Sequence, residues 1–290
     1  EDDVAARPLA RGPAPPEVWA VDGGQALVAD ARCVQVVVTR AARVRFEQGV
    51  CTLEDEGELR ATLLGNRAAR QAAVEALELE GLSPDAPVDL NLLRDRWEWD
   101  AVRRSVDEAA PGAMVLVDGD LLPDWRIPST LPTELLADAA ERHVTVAAVT
   151  KHSSLSRGGA PLLGQMELEA ELALGPRARW WAPVAHTAAP PAIQVVAARL
   201  DPDARFAFRI DLPAGIDPAV ALGRLAAVSD DAAFPGYPYP LAVADRLAAC
   251  PGWLRAEAWL QLDDLLAQAG VPVAVRERAF TDRHRLLERG

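Results

Sequence analysis

Two apolar runs, residues 113–117 (AMVLV) and 144–150 (VTVAAVT), flank a stretch of helical composition at roughly 132–143. Short runs with almost no polar break read as strands buried on both faces. Strands that alternate with helices read as parallel members of an α/β sheet. Upstream, a strand at Val18–Val21, a β-branched run at 33–39 and an alternating segment at 42–50 follow one another over short links, the pattern of an antiparallel meander. Composition predicts a helix over 58–82, a break at 83–87 and a second helix over 89–110 behind an Asp89 N-cap. Strands at about 192–200 and 205–212, a helix from Asp217 and an amphipathic helix over 253–269 complete the order. The expected fold is α/β: a mixed sheet built from a three-strand antiparallel meander plus parallel strands, flanked by helices and carrying insertions.

The domain organisation follows from composition. Residues 1–17 read as a loose, proline-rich leader, 18–252 as one domain with an irregular insertion at about 153–191, and 253–290 as a helical extension. No apolar run approaches the roughly 18–20 residues of a membrane helix, so no membrane role is expected. Cys33, Cys51 and Cys250 are odd in number and form no Cys-x-x-Cys pair. This predicts reduced thiols in a cytoplasmic protein, without structural zinc. A net charge of −13 argues against coating nucleic acid by bulk electrostatics, although it leaves room for a local basic channel. P-loop, G-x-G-x-x-G and G-x-S-x-G patterns are missing, which argues against an ATPase, a dinucleotide enzyme and a serine hydrolase.

The acids are more informative than the charge total. Asp22 ends the first predicted strand and Asp118 ends the strand at 113–117, each followed by glycine. Asp-Gly is a preferred turn between strands, and glycine also lets a ligand approach the backbone closely. On the helix at 89–110, Glu98 shares a face with Val102, Val106 and Ala109, whereas Asp95, Asp107 and Glu108 have arginines at helical spacing. Asp245 sits in an apolar stripe with Leu241, Ala242, Ala248 and Ala249. Buried carboxylates need cations, either arginines or divalent metal ions, and an all-oxygen set favours Mg²⁺ or Mn²⁺. Two such ions, roughly 3.5–4 Å apart, support in-line attack of water on a phosphodiester. The chain has a single lysine, Lys151, at the end of the strand at 144–150, followed by His152.

Six blocks resemble the NurA nuclease family of the ribonuclease H-like fold. They are AVDGG at 20–24, RWEW at 96–99, VLVDGDLL at 115–122, AVTKHSS at 148–154, FRIDLP at 208–213 and GYPYPLAVADRLA at 236–248. The resemblance implies a metal-dependent, Mn²⁺-stimulated 5′–3′ exonuclease and single-strand endonuclease. It further implies a homodimer that works with a HerA-type hexameric ATPase on single-stranded and duplex DNA ends during end resection. It marks Asp22 and Asp118 as metal ligands, Glu98 as the helical glutamate and Tyr237 as a rim tyrosine. Asp245 falls where some relatives carry histidine, and Gly24 where serine is common. Together the two readings make Asp22, Glu98, Asp118 and Asp245 the ligands of one or two Mn²⁺ or Mg²⁺ ions. Lys151 and His152 are then expected to bind phosphate, Tyr237 to position DNA, and Arg40, Arg43, Arg45 and Arg126 to line a channel. The competing expectation is a catalytically silent scaffold that docks onto a DNA-translocating ATPase and keeps its acids as ion pairs.

Overall fold

The computed structural model describes residues 6–31, 33–79, 82 and 86–280. Strands β1 (Arg7–Pro8), β2 (Glu17–Asp30), β3 (Gln35–Glu47), β4 (Val50–Asp55) and β5 (Arg60–Leu64) lead into helices α1 (Arg67–Leu77) and α2 (Leu90–Glu108). Next come β6 (Met114–Asp118), α3 (Thr130–Glu141), β7 (Thr145–Thr150), a small hairpin of β8 (Ser156–Arg157) and β9 (Ala160–Pro161), and α4 (Leu162–Leu174). Strands β10 (Trp180–His186), β11 (Ile193–Arg199) and β12 (Phe208–Pro213) precede α5 (Pro218–Ala226), α6 (Tyr239–Ala248), α7 (Gly252–Gln268) and α8 (Val273–Phe280).

Ten strands form one mixed sheet in the order β1-β10-β11-β12-β7-β6-β2-β3-β4, with β5 also paired to β3. Strands β2, β6 and β7 run parallel, as the sequence pattern leads one to expect, and the meander β2-β3-β4 is antiparallel, but the two strands expected at 33–39 and 42–50 are the single strand β3 and the third strand is β4. Alternation along β2 sorts its side chains onto two faces. Trp19 and Val21 join Leu92, Val102 and Leu135 in the core beneath α2 and α3. Val18 and Ala20 join Leu222, Leu241 and Ala244 beneath α5 and α6. Each fully buried Leu or Val contributes about 1.5–3 kcal/mol by leaving water, so both layers hold the sheet from either side.

Local signals account for several boundaries. Asp89 caps α2 by accepting a hydrogen bond from the Leu92 N–H at 2.9 Å, and Asp217 caps α5 through Ala219 and Val220. The single helix expected over 58–82 is instead a strand and a helix. Residues Arg60–Leu64 pair with β3, Gly65 turns at φ 133°, and the Asn66 side chain caps α1 through the Ala69 N–H. Part of the break expected at 83–87 lies outside the described residues.

Two further expectations are corrected. The segment 153–191 is not an irregular excursion throughout, because β10 is an integral sheet strand paired with β11. Of the leader, residues 1–5 lie outside the described residues. The rest is pinned: β1 pairs with β10, Leu9 is buried, and the Gly12 N–H donates to the Gly223 carbonyl at 2.8 Å. Among the described residues no helix is long and apolar enough to cross a membrane.

Candidate metal centre

The first correction at the site concerns Asp22. Its strand does not turn at Asp-Gly but continues through Gly23 and Gly24 to Asp30, paired with β3 nearly throughout. Both glycines answer to neighbours from distant parts of the chain. A Cβ on Gly24 would lie 1.7 Å from the Ala248 carbonyl oxygen at the end of α6. On the opposite face, a Cβ on Gly23 would lie 2.8 Å from Glu98 Oε2 and 2.7 Å from Arg94 Cγ. The glycines therefore let α6 and α2 close onto β2 beside Asp22.

Sheet register then assembles the site. Val21 pairs with Val117, which sets the next residues, Asp22 and Asp118, side by side on the α6 face. Asp118 pairs with Val149, and Lys151 follows two residues later on the same face. Asp245 reaches in from the second turn of α6. Carboxylate oxygens of Asp22, Asp118 and Asp245 lie within 4.8 Å of one another. Lys151 Nζ bridges two of them, at 2.7 Å from Asp118 Oδ2 and 2.6 Å from Asp245 Oδ1. Tyr237 packs its ring 5.3 Å from the same ammonium. Its hydroxyl is buried against Asp118 but makes no hydrogen bond of ordinary geometry.

Electrostatics follow from this crowding. Burial, reinforced by Asp118 and Asp245, pushes Asp22 up to about 8, although Lys151 and the Gly23 N–H oppose the rise. Burial also raises the Tyr237 phenol, and Asp118 adds to it. Lys151 is desolvated, which favours the neutral amine, but its hydrogen bonds to Asp118 and Asp245 prevail and hold it charged.

Glu98 stands apart from the three aspartates. It is buried on the α2 face, beneath Gly23, and lines a cavity of about 280 Å³ with Asp118 and Asp120. Burial first, and Asp22 next, raise it well above the usual carboxylate range. Among the described residues it forms no ion pair, since the guanidinium of nearby Arg94 is bonded to Asp95. The expected four-acid cluster is thus a three-aspartate cluster with a glutamate on the far side of the strand. Asp245 also differs from expectation, because its side chain is exposed although Leu241, Ala244 and Ala248 on the same helix are buried.

The donor set fits a divalent cation on its own chemistry. Three oxygen ligands converge, one of them costly to ionise, and the other two share a single lysine ammonium, which leaves the cluster with excess negative charge. The pH behaviour can be stated. An unfolded aspartic acid titrates near 3.9 and folded, metal-free Asp22 near 8, so between these values the folded chain binds the extra proton. Stability of the metal-free protein is expected to fall as pH rises from about 5 to 8, and Asp22→Asn is expected to flatten that slope. Thermal unfolding in EDTA across this range checks it; an identical slope in the variant would count against the raised value.

The remaining expected residues are placed differently. His152 is exposed and makes no hydrogen bond among the described residues. The four arginines expected along a channel are held by carboxylates instead. Arg40 binds Glu56 and the Ala249 carbonyl, and Arg43 binds Asp55 and Glu108. Arg45 binds Glu47, and Arg126 binds Asp89 and Asp124. A buried tie not foreseen from the sequence supports the loop after Asp118. Arg209 grips Asp211 through two nitrogens, each at 2.8 Å, and reaches Asp120 at 3.0 Å, while Asp211 accepts from the Leu121 N–H. Opposite charges at i and i+2 in FRIDLP, on one face of a strand, were the available signal.

No family model and no curated protein matches this chain. Among solved structures it is similar to the NurA nuclease from Sulfolobus solfataricus, with a TM-score of 0.60 at 16% identity over 93% of this chain and 88% of that one. A second NurA crystal structure aligns with a TM-score of 0.52 at 9% identity, covering 83% of this chain and 86% of that one. At these identities the likeness concerns the fold, and it is the fold of the same family that the sequence blocks resemble.

Proposed function

We propose that this chain, folded like the NurA nucleases, is a metal-dependent DNA nuclease. The observation that carries the reading is the convergence of Asp22, Asp118 and Asp245 within 4.8 Å on one face of the sheet. These three residues would hold one or two Mn²⁺ or Mg²⁺ ions, while Glu98 stands on the far side of β2 behind Gly23. When bound, such ions supply Lewis acidity toward a phosphodiester and its attacking water. Lys151, held between Asp118 and Asp245, would meet a phosphate oxygen of the substrate with its compact ammonium. Tyr237 brings a buried, unpartnered hydroxyl to the same point. His152, exposed next to Lys151, is placed to touch flanking backbone.

The finer reading is a 5′–3′ exonuclease and single-strand endonuclease that acts as a homodimer with a HerA-type hexameric ATPase in end resection. Two features support it. A net charge of −13 suits a nuclease whose DNA is delivered by a motor better than one that captures DNA unaided. Helix α7 buries no residue and exposes Trp253, Leu260 and Leu265, which offers an apolar contact surface. The silent-scaffold reading draws on one observation, the Lys151 bridge that already gives two of the aspartates a shared cation.

The test is digestion of end-labelled single- and double-stranded DNA in Mn²⁺, Mg²⁺ or EDTA, with and without the ATPase. Cleavage that needs the metal supports the nuclease. Undiminished cleavage in EDTA rejects the metal centre, and no cleavage under any condition favours the scaffold.

A further inference from the structure

Beside the carboxylates lies a cavity of about 660 Å³ whose lining includes Lys151, Tyr237 and Asp245. Its other walls are aromatic: Phe206, Phe208, Phe234 and Tyr239. The whole chain has 5 Phe and 2 Tyr, so most of them collect at this one place. Core packing does not explain that gathering. Phe206 is 62% exposed, Phe234 49% and Tyr239 40%, although large apolar side chains are ordinarily covered. The inner wall is ordered, with Phe208 and Tyr237 ring centroids 5.5 Å apart.

Charge at the cavity is also distinctive. Arg205 and Arg246 line it, and neither forms an ion pair among the described residues. Arg205 places its guanidinium 5.9 Å from the Phe206 ring. Flat aromatic faces with free guanidinium groups are the surface on which successive unpaired bases stack while their phosphates are held.

We propose that this cavity is a base-stacking subsite for unpaired DNA, in which Phe206 and Phe234 clamp the nucleobase next to the scissile phosphate. The proposal rests on the nuclease reading and adds the place where an unpaired base is held. A base held there has its phosphate on the Lys151 side, where cavity and carboxylates share Lys151 and Asp245. Entry from a duplex would require unstacking, so single-stranded ends are the favoured substrate. Because the protein is acidic, stacking supplies much of the grip, and binding should weaken less steeply with salt than in nucleases that track phosphates with many basic side chains.

The experiment uses the full chain in EDTA with short single-stranded oligonucleotides carrying 2-aminopurine at successive positions from each end. Stacking is expected to quench emission at one or two adjacent positions in the wild type and in Asp22→Asn. In Phe206→Ala/Phe234→Ala the quenching should vanish and affinity drop by about tenfold, in line with the loss of one to two stacked bases. Both phenylalanines are exposed, so the thermal midpoint should not move. Binding seen by anisotropy without quenching at any position overturns the proposal, as does full quenching in the double variant. A blunt duplex that binds as tightly as the single strand also counts against it. Quenching lost in the double variant, alongside wild-type protein that cleaves nothing in Mn²⁺ or Mg²⁺, would sustain the subsite and reject the nuclease reading.

Discussion

Asp22→Asn is expected to cut metal-dependent cleavage by at least about a thousandfold while making the metal-free protein more stable by a margin that grows from about pH 5 to 8 and then holds. The first effect follows from removing a ligand that helps fix the cation. Stabilisation of transition-state charge by a bound metal is worth several kcal/mol, and each 1.36 kcal/mol is tenfold in rate. The second follows from the same residue's setting. Asp22 is buried next to Asp118 and Asp245, and ionising it there costs free energy that an amide of equal size does not. Stabilisation should be small near about pH 4, should grow as pH rises through the neutral range, where the unfolded aspartate is ionised and the folded one still holds its proton, and should level off above about 8. Cleavage rates in Mn²⁺ and thermal midpoints in EDTA, both taken as pH series, decide it. Retained cleavage would remove Asp22 from the metal centre, and a falling midpoint at high pH would show that its charge is satisfied in the fold.

Gly24→Ser is the second large expectation, and its main effect is on structure. The new Cβ would stand 1.7 Å from the Ala248 carbonyl oxygen, and the clashing atom is backbone. No rotamer change relieves that overlap, so either β2 or the end of α6 must shift. Overpacking of this kind costs about 3 kcal/mol or more. Because α6 also carries Asp245, displacement would loosen the carboxylate triad and the Lys151 bridge together. Denaturant unfolding should show a lowered midpoint, and metal affinity should fall with it. Gly23→Ala is a useful contrast, since the groups it would meet, Arg94 and Glu98, are flexible side chains that can move. Equal stability of Gly24→Ser and wild type would refute the close-approach account of this glycine.

These two glycines show what was legible in the sequence and what was not. Local chemistry was readable wherever it acts over a few residues. Asp89 and Asp217 cap their helices, and the apolar runs at β6 and β7 form parallel strands. The aspartates of the site could be nominated because each stood out locally from its neighbours. Asp-Gly-Gly, however, carries a turn signal at short range and a packing role at long range, and only tertiary contact, of Gly23 with Arg94 and Glu98 and of Gly24 with Ala248, selects between them. The same limit applied to Glu98 and Asp245. Helical spacing told which face of its own helix each occupies, but not that α2 and α6 cover opposite faces of the sheet. Arginines were the least legible, because Arg40, Arg43, Arg45 and Arg126 look alike in sequence whether they meet phosphate or carboxylate.

The Lys151 bridge changes what loading such a site means. Asp118 and Asp245 already share an ammonium at contact distance. The protein thus carries its own counter-ion, and the sheet can close around these two charges before any metal arrives. Taking up a divalent ion is then an exchange between two cations, governed by the difference between their affinities for the same oxygens. A weakly competing cation leaves the lysine in place. One that wins would free a positive side chain where, on the nuclease reading, a phosphate is to be met, and loading and substrate recognition would then be linked through one residue.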